Sequence, residues 1–284
     1  MKFKIAIFYL LPALLLSTGS AQGPWIQPDG RFYGQIAVNF IPAYQQLYRT
    51  AGATSATERE IEDMTVQAWL EYGLFRYSTI LLDIPYKILK AGDLVGDMSG
   101  TAATQSSNLK ALGNIRMGWK QQVNNSTLVS AAWLWLELPT ASYQEKTGLR
   151  SGYDALAVIP AFSIGTSSDR WYTFGHLALG IRSNNYSDYT RLGFETGYEL
   201  FSDFNLAGFV EWVISLQNGS RIDPSNNYLT GLYVNDQEFV SWGFKVFSEL
   251  IDRKFGVSAA LAGAFSGNYV PKAPSLNIGL YYQH

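Results

Sequence analysis

Histidine occurs twice in this chain, as His176 and as the last residue His284, and cysteine does not occur at all. A nucleophilic serine needs a base within hydrogen-bond reach, and His176 is the internal imidazole available for that role. It falls on the polar face of an alternating segment, with Tyr172 and Arg182, whereas a membrane-embedded lipid hydrolase would hold its His–Ser pair toward lipid. Catalysis is therefore not expected, and His176 reads as an ordinary hydrogen-bonding group. There is no paired His and no acidic loop with EF-hand spacing, so neither a metal nor a cofactor is expected. Glu58, Glu60, Glu62 and Asp63, with Arg59 among them, form an acidic cluster. It reads as a solvated loop in preference to a divalent-cation site.

The residues with more to say are charges and amides spaced two apart and flanked by apolar groups. Tyr33, Gln35 and Asn39 alternate with Phe32, Gly34, Ile36, Val38 and Phe40. Glu71, Asp83, Lys87, Arg116, Lys120, His176, Arg182, Arg191, Glu195, Glu199, Glu211, Lys245 and Glu249 recur in the same way, and Glu137 shares a face with Trp133 and Trp135. Period two puts such residues on one face of a strand and their apolar neighbours on the other. With one face in lipid, the polar set lines a lumen. The two signs nearly balance. Charges on the wall of a narrow lumen must be paired or wetted, because an isolated buried ion is costly. They serve either as a cross-lumen network that stiffens the wall or as a constriction that selects a solute by size and charge. The balance favours a neutral or zwitterionic solute. Tyr33, Trp69, Phe209, Phe239 and Tyr281 either line a path for apolar compounds or fill space.

The elements that position these residues follow from the same period. About twelve segments alternate, including Val66–Tyr72, Ile80–Lys87, Asn114–Lys120, His176–Arg182, Arg191–Glu199 and Leu276–Gln283. Leu128–Glu137, Ala155–Gly165 and Phe255–Phe265 alternate less cleanly, and Pro160 weakens its ladder locally. Short links such as Arg76-Tyr77, Ser202-Asp203 and Asp252-Arg253-Lys254 take turns with longer loops, Gln45–Asp63, Ala91–Lys110, Thr140–Tyr153, Ser183–Asp188, Asn218–Asp236 and Ser266–Pro274. This is the arrangement of an all-β, antiparallel up-and-down transmembrane β-barrel of about twelve strands, with short periplasmic turns and longer extracellular loops. Ala91–Lys110, small and polar, reads as a mobile or lumen-folding segment.

At the N-terminus, Lys2 and Lys4 precede the apolar run Ile5–Leu16 and the small residues Gly19-Ser20-Ala21. That is a secretory leader over residues 1–21, with the barrel occupying 22–284. The run is too short for a membrane helix, and the reading places the protein in the outer membrane of a Gram-negative bacterium. The 284 residues are 47% hydrophobic, 15% aromatic and 15% charged, short of charge for a soluble domain. Losing Lys2 and Lys4 takes 21 basic residues to 19 against 23 acidic ones, net −4. No basic footprint is left for nucleic acid. The expected partners are outer-membrane lipid, the barrel-insertion machinery that reads a terminal aromatic strand such as Tyr281-Tyr282, and a small apolar or aromatic solute.

Glu71-Tyr72-Gly73-Leu74 followed by Leu82-Asp83-Ile84-Pro85-Tyr86, then Leu112-Gly113-Asn114-Ile115-Arg116-Met117-Gly118 and Leu138-Pro139-Thr140, resemble motifs of the MetA-pathway-of-phenol-degradation family. Those motifs span roughly Gln67 to Gly152, with Asn114 where the family usually has Asp and Ala141 where it usually has Gly. The resemblance implies an outer-membrane barrel that takes up small apolar or aromatic compounds. Two function classes follow: a passive channel or uptake barrel, and a non-transporting barrel that anchors, adheres or interacts through its loops. Fold alone does not choose between them.

Overall fold

The computed structural model describes residues 23–93, 106–228, 230–251 and 254–284. The expected leader lies outside them. Alternation of apolar and polar side chains builds the long strands β1 (Phe32–Tyr48), β2 (Thr54–Phe75) and β3 (Ser78–Ala91). Strand β4 comes in two runs, Ser107–Leu112 and Arg116–Asn125, followed by β5 (Val129–Glu137), β6 (Ala157–Ser167) and β7 (Trp171–Arg182). The series ends with β8 (Tyr189–Phe201), β9 (Phe204–Ser215), β10 (Glu238–Ile251), β11 (Phe255–Asn268) and β12 (Ser275–Gln283). Neighbours in sequence pair antiparallel, and β1 closes the sheet by pairing with β12 as well as β2: Gln35 faces Tyr281 on one side and Trp69 on the other. The protein is a closed twelve-stranded antiparallel β-barrel. Closure leaves no edge, the condition under which strands can stand in hydrocarbon.

The two faces separate as the period requires. Ile36, Ile278 and Leu280 point outward at 64%, 67% and 65% exposure, and Gln35, Glu71, Asp83 and Lys120 are buried inside. Two prolines interrupt the hydrogen-bond ladders, because proline has no N–H to donate. Opposite Pro85, β4 breaks between Leu112 and Arg116, and the Gly113 N–H donates to the Pro85 carbonyl. At Pro160 the pairing of β6 with β7 lapses between Ala161 and Val158.

Several expected loops are differently built. Gln45–Asp63 is not a long loop: β1 runs to Tyr48 and β2 starts at Thr54. A transmembrane strand needs about 9–11 residues, so the 17 and 22 residues of β1 and β2 carry the wall well beyond the bilayer. There the outer face meets water and no longer has to be apolar, which makes a strand look like a loop. Thr57, Arg59, Ile61 and Asp63 still point inward and are buried, whereas Glu60 stays exposed, so the acidic cluster lies on a strand and turns Asp63 inward. Ser266–Pro274 likewise carries the end of β11 and the pair Val270–Pro271, bridged to Leu47 and Tyr48. In the Ala91–Lys110 loop, residues 94–105 lie outside the described residues, and the rest leads into β4 alongside β3. The segments that fold inward are 140–153, which carries the small ribbon Tyr143–Gln144 with Leu149–Arg150, and 218–237, which carries the one-turn helix Ser225–Tyr228.

Phe194, in the middle of β8, stands in the lipid-facing row. Phe194→Arg is expected to destabilise the folded barrel by roughly 2–4 kcal/mol, the cost of an arginine near the bilayer midplane. Denaturant titration of the refolded protein in liposomes reads this directly, and a value near zero would mean that the strand phase is wrong.

Candidate functional site

The interior is divided into tiers by the side chains that each strand turns inward. At the extracellular end, Ile41, Tyr44, Leu47, Ile61, Leu89 and Val270 from the wall pack against Leu149 and Leu232 from the inward loops. The Tyr44 hydroxyl donates to the Thr230 carbonyl (3.2 Å), fixing that loop to β1. Halfway down, Trp69, Leu81, Trp133, Trp135, Ile159 and Val213 form an apolar belt, with the rings of Trp69 and Trp135 edge-on at 5.4 Å.

Between lid and belt lies a cavity of about 200 Å³. Its wall carries Asp83, Lys87, Arg116, Glu137, Arg182 and Arg191, with Tyr153, Tyr189, Tyr233 and Phe239. Most of these charges are paired. Lys87 Nζ lies 2.8 Å from Asp63, Arg116 Nε donates to Asp83 Oδ2 (2.9 Å), and Arg191 Nε lies 3.6 Å from Glu211. Asp83 also accepts from Gln67 (2.7 Å), and Glu137 accepts from Asn114 (2.9 Å). Arg182 is held differently: its guanidinium carbon lies 3.9 Å from the centre of the Tyr153 ring and 4.3 Å from that of Tyr189. Tyr189 can lie flat on the wall because Gly180 faces it across the strands, and a Cβ there would come within 2.0 Å of the ring. Burial holds the Tyr153 phenol well above the ordinary tyrosine range, so it stays a donor, here to Gln237 (2.7 Å).

Below the belt, the periplasmic half is occupied by the chain itself. Lys120 Nζ donates to the carbonyls of Gly23 and Trp25, each at 3.2 Å. The Trp25 ring meets Tyr172 and Phe174 edge-on, at 5.9 and 5.8 Å. Gln27 donates from its backbone to Thr79 (2.9 Å) and from its side chain to Glu71 (3.1 Å), which also accepts from Trp69 (3.0 Å). Residues 23–28 are therefore a stopper tied to three strands. It needs glycine at 73, where a Cβ would stand 1.9 Å from the Pro28 carbonyl oxygen.

Of the polar residues the sequence singles out, Asn39, Asp83, Lys87, Arg116, Arg182 and Arg191 come together on the cavity wall. Glu211 stands behind it with His176, whose Nε2 is 3.8 Å away; neither buried ring nitrogen makes a hydrogen bond, so His176 is not the hydrogen-bonding group its place in the sequence suggests. Glu71 and Lys120 hold the stopper. Glu195 and Lys245 form a separate pair (2.8 Å) that also takes the Tyr172 hydroxyl (2.7 Å). Gln35 donates to Ser258 (2.8 Å), and Tyr33 stacks on Tyr281. Glu199 and Glu249 belong to the periplasmic rim, where they accept from the Asp203 backbone (3.4 Å) and Gln283 (3.1 Å). Asp63, Tyr153, Tyr189, Tyr233, Gln237 and the stopper are not legible as site residues in the sequence. Tyr189 alone carried a signal, since it stands two before Arg191 in the same row.

No family model matches the chain, and no curated protein does. Among solved structures it is similar to a COG4313 outer membrane channel from Pseudomonas putida F1, at 13% identity and TM-score 0.72 over 95% of this chain and 100% of that one. Looser similarities include the KdgM porin in complex with disordered oligogalacturonate, at 8% identity and TM-score 0.45 over 87% of this chain and 98% of that one. Another is the Pseudomonas putida toluene transporter TodX, at 12% identity and TM-score 0.44 over 90% of each chain.

The Lys87–Asp63 pair is buried on both sides. Asp63→Asn leaves the ammonium uncompensated and is expected to cost roughly 3–5 kcal/mol, whereas Asp63→Leu with Lys87→Met should cost much less, because neither charge then remains buried. Unfolding midpoints of the three proteins in denaturant decide it. Equal losses for the single and double variants would show that burial of the pair is not the controlling term.

Proposed function

We propose that the protein is a passive outer-membrane channel for small, apolar or aromatic solutes. The observation that carries this reading is the cavity enclosed by the barrel wall, lined by tyrosines and phenylalanine as well as by paired charges. Ion pairs inside a lumen present little net field to a neutral solute, and aromatic side chains give it a surface to slide along. The likeness to a channel in fold, and the motif resemblance to barrels of phenol catabolism, are in keeping with it. An adhesive or anchoring role would use loops that project. Segments 140–153 and 218–237 instead turn inward, with Leu149, Thr230, Leu232 and Val234 buried.

In this reading the cavity is a waiting station. Passage toward the periplasm requires residues 23–28 to leave their seat on Lys120, Thr79 and Glu71. The refolded full-length protein in a planar bilayer is therefore expected to show small, intermittent conductance that phenol reduces. A variant lacking residues 23–28 should conduct several-fold more. If both proteins are folded and neither conducts, the channel reading falls.

A further inference from the structure

The cavity's cations are not equivalent. Lys87, Arg116 and Arg191 each have a carboxylate behind them, on Asp63, Asp83 and Glu211. Among the described residues, no carboxylate lies within 4.0 Å of the Arg182 guanidinium, whose buried Nε has no hydrogen-bond partner. Its guanidinium carbon stands over two rings, 3.9 Å from the centre of Tyr153 and 4.3 Å from that of Tyr189. A guanidinium donates only around its rim, so its in-plane N–H groups are what it offers a ligand. That rim matches the two oxygens of a carboxylate, which it binds bidentately. The Nε of Arg191, two residues past Tyr189 in the same row, is also buried without a hydrogen bond.

The cavity has space for an aromatic group beside the carboxylate. A cavity of about 150 Å³ lined by apolar groups accommodates a benzene molecule, and the one here measures about 200 Å³. It therefore has room for one aromatic ring with a small substituent. Tyr189, Tyr233 and Phe239 supply faces and edges for the ring. Glu137, which accepts from Asn114, lines the same cavity, and its charge acts on both Arg116 and Arg182.

From this arrangement we infer that the cavity is a binding site for monocyclic aromatic carboxylates, with Arg182, beside Tyr153 and Tyr189, receiving the carboxylate. This rests on the channel reading only for its biological purpose, since binding is measured without passage. The test is isothermal titration of the purified full-length protein with benzoate and with benzyl alcohol, a neutral molecule of the same size. Folding of each variant is checked by its heat-modifiable migration on a gel. Benzoate is expected to bind at least about tenfold more tightly than benzyl alcohol. Arg182→Gln should weaken benzoate by about tenfold or more, the loss of one charge-assisted pair, and leave benzyl alcohol unchanged. Arg182→Lys, which keeps the charge but not the fork, should fall between. Equal affinities for the two probes would overturn the assignment, as would a folded Arg182→Gln that keeps its hold on benzoate. A protein that binds benzoate and conducts nothing would refute the channel and leave this site standing. One that conducts and ignores benzoate would refute this site alone.

Discussion

Everything in this molecule depends on one constraint: a peptide group in hydrocarbon must find its hydrogen bond within the protein. Strands meet it only when the sheet closes, and closure here is the pairing of β1 with β12, from Tyr33 against Gln283 to Phe40 against Leu276. Once the sheet is closed, a strand residue has two places to go. Ile36 and Ile278 face lipid, so Gln35 and Asn277 have to face inward. The lumen inherits charges such as Asp83, Lys87, Arg116, Glu195 and Lys245, in a space too small to hydrate them freely. Ion pairs such as Lys87–Asp63 and Lys245–Glu195 answer that crowding first and any solute second.

The same confinement explains the tiers. An interior wall of charge alone would leave the lumen an open water column. The apolar lid above and the tryptophan belt below divide it, and the stopper at residues 23–28 fills what remains on the periplasmic side. Lys120 is the hinge of that arrangement. It is fully buried, lies 4.7 Å from the Trp133 ring, and spends its donors on the carbonyls of Gly23 and Trp25. The hydrogen bonds of the stopper to Lys120, Thr79 and Glu71 each end on a side chain of the wall, so none of them belongs to the ladder that closes the barrel.

The fold was legible because period two survives wherever a strand has lipid on one side: Leu177, Leu179 and Ile181 against His176 and Arg182 leave little room for another reading. Where the wall leaves the membrane that signal ends. Thr54–Asp63 has an outer face of ordinary polar residues and so resembles a loop, although Ile61 and Asp63 keep their inward phase. The cavity was half legible. Its wall charges announce themselves by spacing, but Tyr153, Tyr233 and Gln237 come from loops whose inward fold is set by packing against Leu47 and Leu89, contacts between residues far apart in the chain. The stopper left no trace, since Trp25 and Gln27 follow the expected leader and belong to no alternating run.

The absence of cysteine makes the central claim directly measurable. Thr65 lines the cavity, and Val38, which faces lipid at 40% exposure, lies one strand away. With Thr65→Cys and Val38→Cys refolded separately into liposomes, the rate of modification by a small charged thiol reagent reports which face is wet. Thr65→Cys is expected to react and Val38→Cys to stay inert. A reactive Val38→Cys beside an inert Thr65→Cys would contradict the inward polar face on which the cavity, its ion pairs and the proposed function all stand.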